Sequence, residues 1–120
     1  MMEFSFEKLE VWKDAMGLAE MIYKMTKNIP EEEKYGIISQ IQRAAVSVPV
    51  NIAEGRGRHH VKEQIQFFYT SRGSLYEVIT LLKLCLSLEF IDQNKYEKVI
   101  AKCESILSKL SGLINSLKET

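Results

Sequence analysis

Punctuation is scarce in this chain: Pro30 and Pro49 are the only prolines, and six glycines are spread over 120 residues. A many-stranded β protein needs turn residues every few positions, so the scarcity favours helices. Cysteine is scarce too. Cys85 and Cys103 are too few for a disulfide framework, and neither has a His or a second Cys at a metal-ligand spacing. Both sit inside apolar helical patterns, which marks them as reduced core residues. No apolar run reaches the ~20 residues of a membrane span. Glu3 and Glu7 stand among aromatics where a secretory signal would carry a basic region followed by an apolar run. The expectation is a cytoplasmic protein with no membrane association.

Net charge is also lacking, with 16 Lys and Arg against 16 Asp and Glu. Its distribution is uneven. Residues 1–39 carry five Lys and eight acidic residues, a balance of −3; residues 40–75 carry five basic and two acidic residues, +3; residues 76–120 carry six of each. All four arginines (Arg43, Arg56, Arg58 and Arg72) and both histidines fall in the middle segment. A surface that faces polyanions belongs there. Hydrophobic residues at 46% and charged residues at 27% are the balance of an ordinary globular protein. A chain of this size is expected to form one domain over residues 1–120 around one core.

Four segments carry apolar residues in steps of three and four, the mark of amphipathic helices. The first seam reads Leu9, Trp12, Met16, Ala19 and Tyr23, with Ser5 as a candidate N-cap and Phe4 and Phe6 packing against the bundle end. The second opens in the acidic run Glu31 to Glu33, suited to the positive end of a helix dipole, and reads Ile38, Ile41, Ala45, Val48 and Ile52. The third reads Val61, Ile65, Phe68, Arg72, Leu75, Ile79, Leu82 and Leu86. The fourth reads Tyr96, Val99, Cys103, Ile106, Leu110, Leu113 and Leu117. Helices are therefore predicted at about 7–28, 32–55, 60–89 and 93–118. The short connections imply an all-α, antiparallel, up-down-up-down four-helix bundle.

The stretch from Gln40 to Arg58, QIQRAAVSVPVNIAEGRGR, is the most informative. Pro49 interrupts a helical pattern and leaves the Ala45 carbonyl without its donor, so a kink is expected, with Ser47 and Asn51 able to bond freed backbone groups. Folding the second and third helices back about Gly57 sets Ala44 near Gly73, where the two backbones are expected to touch. It also sets Arg43 beside Glu77, where an ion pair is expected.

FEKLEVWKDA near the start, RAAVSVPVNIAEG at its centre and RGSLYE at Arg72 to Glu77 together resemble the four-helix-bundle proteins encoded in intervening sequences of 23S ribosomal RNA genes. The resemblance covers nearly the whole chain, and the SxPxNIAEG string is its specific part. It marks Gln40, Arg43, Ala44, Ser47, Pro49, Asn51, Ala53, Glu54, Gly55, Arg58, Gly73, Ser74 and Glu77 as fold and assembly residues. The related accessory variability determinant proteins of diversity-generating retroelements imply a ring-shaped homopentamer that binds nucleic acid and a reverse transcriptase. This chain departs from them in charge: they are strongly basic, and it is neutral with a pI near 6.7.

Chemistry finds little support. His59 and His60 are adjacent, so on a helix they would point apart; Glu63 lies three residues after His60, but a di-metal bundle needs matching carboxylates on the other helices, and the first and fourth offer none on their seams. Gly55-Arg56-Gly57 lacks the strand and the further glycines of a phosphate loop. No Ser, Cys or Lys has a partner base at a recognisable spacing. No catalytic residue, metal or cofactor is expected. Phe67, Phe68 and Tyr69 cover most of a helix circumference, which suits core packing or a subunit contact better than a base-stacking platform. Two functions remain. One is a homo-oligomer that touches RNA or DNA phosphates through Arg56, Arg58, His59, His60 and Lys62. The other is a protein-interaction scaffold with a protein partner. Apolar residues beyond one seam of the third helix, among them Phe67, Tyr69, Tyr76 and Leu81, call for a second covering surface and so for self-association.

Overall fold

A computed structural model describes residues 2–119; Met1 and Thr120, the ends of the predicted domain, lie outside the described residues. Four long helices form: α1 (Glu10–Thr26), α2 (Ser39–Arg56), α3 (Val61–Ser87) and α4 (Gln93–Lys118). No strand occurs among the described residues. Each helix packs on two neighbours, α1 on α2 and α4, and α3 on α2 and α4. The result is a four-helix bundle of 45 × 31 × 21 Å, a length that helices of these sizes reach at ~1.5 Å per residue.

The helix ends follow local chemistry in places and depart from expectation in others. Asp92 caps α4 by accepting a hydrogen bond from the Lys95 N–H at 2.7 Å. Ser5 does not cap α1. It opens a short 3-10 turn, Ser5–Lys8, whose Glu7 carboxylate accepts the Phe4 N–H at 2.7 Å, and α1 begins only after Leu9. The second helix also starts later than the acidic run suggested. Glu31–Glu33 form one 3-10 turn, Lys34–Ile38 a wider π-type turn, and Gly36 leaves helical dihedrals at φ −111°, ψ −113° before α2 begins at Ser39. At the end of α3, the Phe90 N–H donates to the Cys85 carbonyl at 2.9 Å while Glu89 takes a left-handed φ of 63°. This is a Schellman stop.

On α1 the core face is not the seam read from the sequence. Val11, Ala15, Leu18, Ile22 and Met25 are buried, whereas Met16 and Tyr23 are 40% and 47% exposed. The two stripes run parallel, one residue apart, and a step of one residue is a rotation of ~100° about the helix axis. On α2 the reading holds for Ile41, Ala45, Val48 and Ile52, all fully buried. On α3 Phe68, Leu75 and Leu82 are buried as expected, but the buried position following each is Ser71, Val78 or Cys85 instead of Arg72, Ile79 or Leu86. Val61 is exposed. Along α4, Val99, Cys103, Ile106 and Leu110 are buried as expected, and the seam then passes to Ile114.

The predicted contact between Ala44 and Gly73 does not form. Gly73 is exposed, and a Cβ there would meet nothing within 4 Å. The close approach of α2 and α3 is at Gly55, where a Cβ would stand 2.7 Å from Cε1 of Phe68. Arg43 and Glu77 are both exposed, and no ion pair joins them among the described residues. The registers of α2 and α3 pair Ser47 with Ser74 and Val48 with Ser71, which turns Arg43 and Glu77 outward.

Candidate nucleic-acid interface

Gly57 to His60 join α2 to α3, and the segment around them carries all five cationic or ionisable residues singled out above. Arg56, Arg58, His59, His60 and Lys62 are exposed. The turn is held by backbone hydrogen bonds from Gly57 N–H to Ala53 O at 3.2 Å and Arg58 N–H to Gly55 O at 3.1 Å. Gln64 Nε2 reaches back to donate to Arg58 O at 2.7 Å, which ties the first turn of α3 to the loop.

Within the segment, Arg58 is engaged by side chains of both flanking helices. Its guanidinium lies 4.6 Å from the centre of the Phe67 ring, and its Nη2 is 4.0 Å from the Glu54 carboxylate. That ion pair is half exposed, so it holds Arg58 weakly and leaves its charge available to solvent ions. His59 and His60 contact each other edge to face at 5.0 Å. No cluster of three His, Cys, Asp or Glu with metal-binding geometry exists among the described residues.

One cationic feature escaped the sequence. Two turns along α3, the Tyr69 ring has the Arg72 guanidinium 5.0 Å from its centre and the Lys118 ammonium at 5.3 Å. Arg72 Nη1 also donates to Ser111 Oγ at 3.4 Å. The i, i+3 spacing of Tyr69 and Arg72 was visible as a local signal. Lys118 arrives from the far end of α4, and nothing local announced it.

The residues marked by the resemblance divide into three groups. Ala44, Pro49 and Gly55 are buried and set helix spacing, with Ala53 beside them. Ser47, Asn51 and Ser74 form a polar seam between α2 and α3: Asn51 Nδ2 donates to Ser47 O at 2.8 Å and Ser47 Oγ at 2.9 Å, and Ser74 Oγ bonds Ser47 Oγ at 2.8 Å. Buried Ser71 adds a 2.8 Å hydrogen bond to the Val48 carbonyl. These side chains serve carbonyls beside Pro49, at positions 47 and 48, and not the Ala45 carbonyl that the proline deprives of its donor. The third group, Gln40, Arg43, Gly73 and Glu77, faces solvent, as does Glu54.

At the opposite face, α1 and α4 are joined by ion pairs. Lys109 bonds both Asp14 and Glu10, the latter at 2.9 Å, and Lys102 lies 3.7 Å from Asp14. The hydrogen bonds to Asp14 and then Glu10 raise the Lys109 pKa above that of a free lysine. None of the described helices is long and apolar enough to cross a membrane.

Comparison with known proteins agrees with this architecture. A search of curated proteins gives no match. Among solved structures, a protein of unknown function from the S23 ribosomal protein family of Bacteroides thetaiotaomicron superposes with a TM-score of 0.81 at 23% identity, covering 87% of this chain and 97% of that one. At that identity the likeness is one of fold. Neither this neighbour nor the matching family is described as an enzyme. The profile of the 23S rRNA-intervening sequence proteins matches residues 7–112, most of the 120-residue chain, and the protein belongs to that family.

Proposed function

We propose that the protein is a non-enzymatic, cytoplasmic, homo-oligomeric bundle that touches RNA or DNA phosphates through the α2–α3 turn. The observation that carries the reading is the turn itself: Arg56, Arg58, His59, His60 and Lys62 are all exposed on one short segment, with Arg58 half engaged by Glu54. Each chain offers few cations, and the whole molecule is neutral, so one copy would bind weakly. A ring of copies, five by analogy with the retroelement accessory proteins, repeats the patch and raises affinity through simultaneous contacts. An antiparallel course for the single domain supports this placement. The contacts pair Gly55 with Phe68 and Ser47 with Ser74, so numbers fall on α2 as they rise on α3, and the turn stands at one end. No cofactor or metal takes part.

Anisotropy titration of fluorescent RNA and DNA with the purified protein tests this. Binding should weaken steeply between low and moderate salt, by ~0.9 log units per tenfold in salt for each duplex phosphate contacted. A flat response, or no binding at low salt, rejects nucleic-acid contact. The neutral charge favours a second reading, a protein-interaction scaffold, which recovery of a defined protein partner after nuclease treatment would support.

A further inference from the structure

The first turns of α3 hold an open recess of about 570 Å³ with mostly apolar walls, lined by Lys62, Glu63, Ile65, Gln66 and Phe67. It adjoins the cationic α2–α3 turn directly, because Lys62 belongs to both. Of the three consecutive aromatics Phe67, Phe68 and Tyr69, only Phe68 is fully taken into the core. Phe67 stays half-buried at the recess, and the Arg58 guanidinium lies over its ring, 4.6 Å from the centre.

A turn that only touches phosphates needs neither an aromatic ring nor an apolar recess, since phosphate contacts position a strand without reading its bases. A duplex hides its base faces in the stack. An unpaired strand exposes those flat apolar faces, which stack on aromatic rings and on guanidinium planes, next to phosphates that need cations. Recess and turn present these two chemistries side by side: Phe67 and Ile65 for a base face, and Arg56, Arg58 and Lys62 for the phosphates that flank it. Glu63 and Gln66 complete the recess wall, and no ion pair or side-chain hydrogen bond engages either among the described residues. A carboxylate there repels phosphate but accepts hydrogen bonds from base amino groups, so charge directs the phosphates to the turn and the base to the recess.

We infer that the recess takes one unpaired base of a single-stranded nucleic acid, stacked on Phe67, while the turn holds the phosphates on either side of it. The inference rests on the phosphate contact proposed above and adds to it the state of the strand: the bases that enter the site are unpaired, and a duplex engages the turn alone.

Anisotropy titrations of labelled single strands, as RNA and as DNA, of their duplexes, and of an abasic strand of the same length test it, with circular dichroism as the check of folding. Wild-type protein should bind the base-bearing single strand roughly tenfold more tightly than the abasic one, although both carry the same number of phosphates. Phe67→Leu keeps the apolar bulk and should lose most of that advantage, while its binding of duplex and abasic strand and its salt dependence stay as in wild type. Phe67→Tyr keeps the ring and should behave as wild type. Lys62→Ala should act differently, lowering the salt slope on single strands by ~0.7 whether or not the bases are present. If nucleic acid binds but the abasic strand binds as well as the base-bearing one, or Phe67→Leu matches wild type on every strand, the recess holds no base and the phosphate reading stands. Equal losses on all strands in Phe67→Leu make Phe67 a structural residue and overturn the stacking. Absence of binding to any strand at low salt rejects the phosphate contact and the recess with it.

Discussion

The backbone of Gly55 lies so close to the ring of Phe68 that a Cβ at position 55 would stand 2.7 Å from Cε1. Phe68 is 1% exposed and is held on all sides, so it has little freedom to swing away. Gly55→Ala should therefore destabilise the bundle by ~1–3 kcal/mol of overpacking, less the helix propensity it gains. Gly112→Ala should do the opposite. It is exposed on α4 with nothing within 4 Å, and Ala there should add ~0.5–1 kcal/mol. Thermal melts of the two variants should move in opposite directions from wild type.

The two stripes of α1 have different duties, and substitution separates them. Ile22→Ala, at a fully buried position, should cost ~2–5 kcal/mol in urea unfolding. Tyr23→Ala, next door and half exposed, should change the stability of the single chain by no more than ~0.5 kcal/mol. Equal losses at both sites would mean that the outer stripe belongs to the core.

Ser47 Oγ is shared by Asn51 and Ser74, which makes the polar seam a network. Asn51→Ala and Ser74→Ala should each cost ~1 kcal/mol. A double-mutant cycle should show coupling of ~0.5 kcal/mol or more, because the two side chains meet through one hydroxyl. Strict additivity would show that the seam contributes as separate bonds.

Both thiols should resist modification in the folded protein. Burial, and then the charge of Glu104, push the Cys103 pKa up to about 12, and burial followed by Glu33 raises that of Cys85. Thiolate is the reactive form, so a disulfide reagent at pH 8 should react fully only after denaturation. The unfolded thiol ionises near 9.0 while the folded one keeps its proton. The Cys103 contribution to stability is thus present below pH 9 and declines as pH rises toward 12, at ~1.4 kcal/mol per unit, and that of Cys85 declines in the same direction. The raised Lys109 pKa acts in the same direction. Cys103→Ala isolates the thiol: it should flatten the decline above pH 9, whatever its effect on stability at neutral pH.

Local information in the sequence was enough for the number of helices, the all-α class, the α4 seam down to Leu110, and the polar character of the α2–α3 turn. Each of these follows from a repeat of three and four residues or from residues adjacent in the chain. The family was legible as well, because SxPxNIAEG fixes an order that packing alone does not select. Three features were decided only in the tertiary structure. Of the two parallel stripes on α1, the inward one was chosen by how α2 and α4 pack on it. The close helix approach settled at Gly55 and Phe68, away from Ala44 and Gly73, and Arg43 and Glu77 were turned outward instead of toward each other. Periodicity determines that a helix has an apolar side, but rotation about its axis and register along it depend on side chains distant in the sequence.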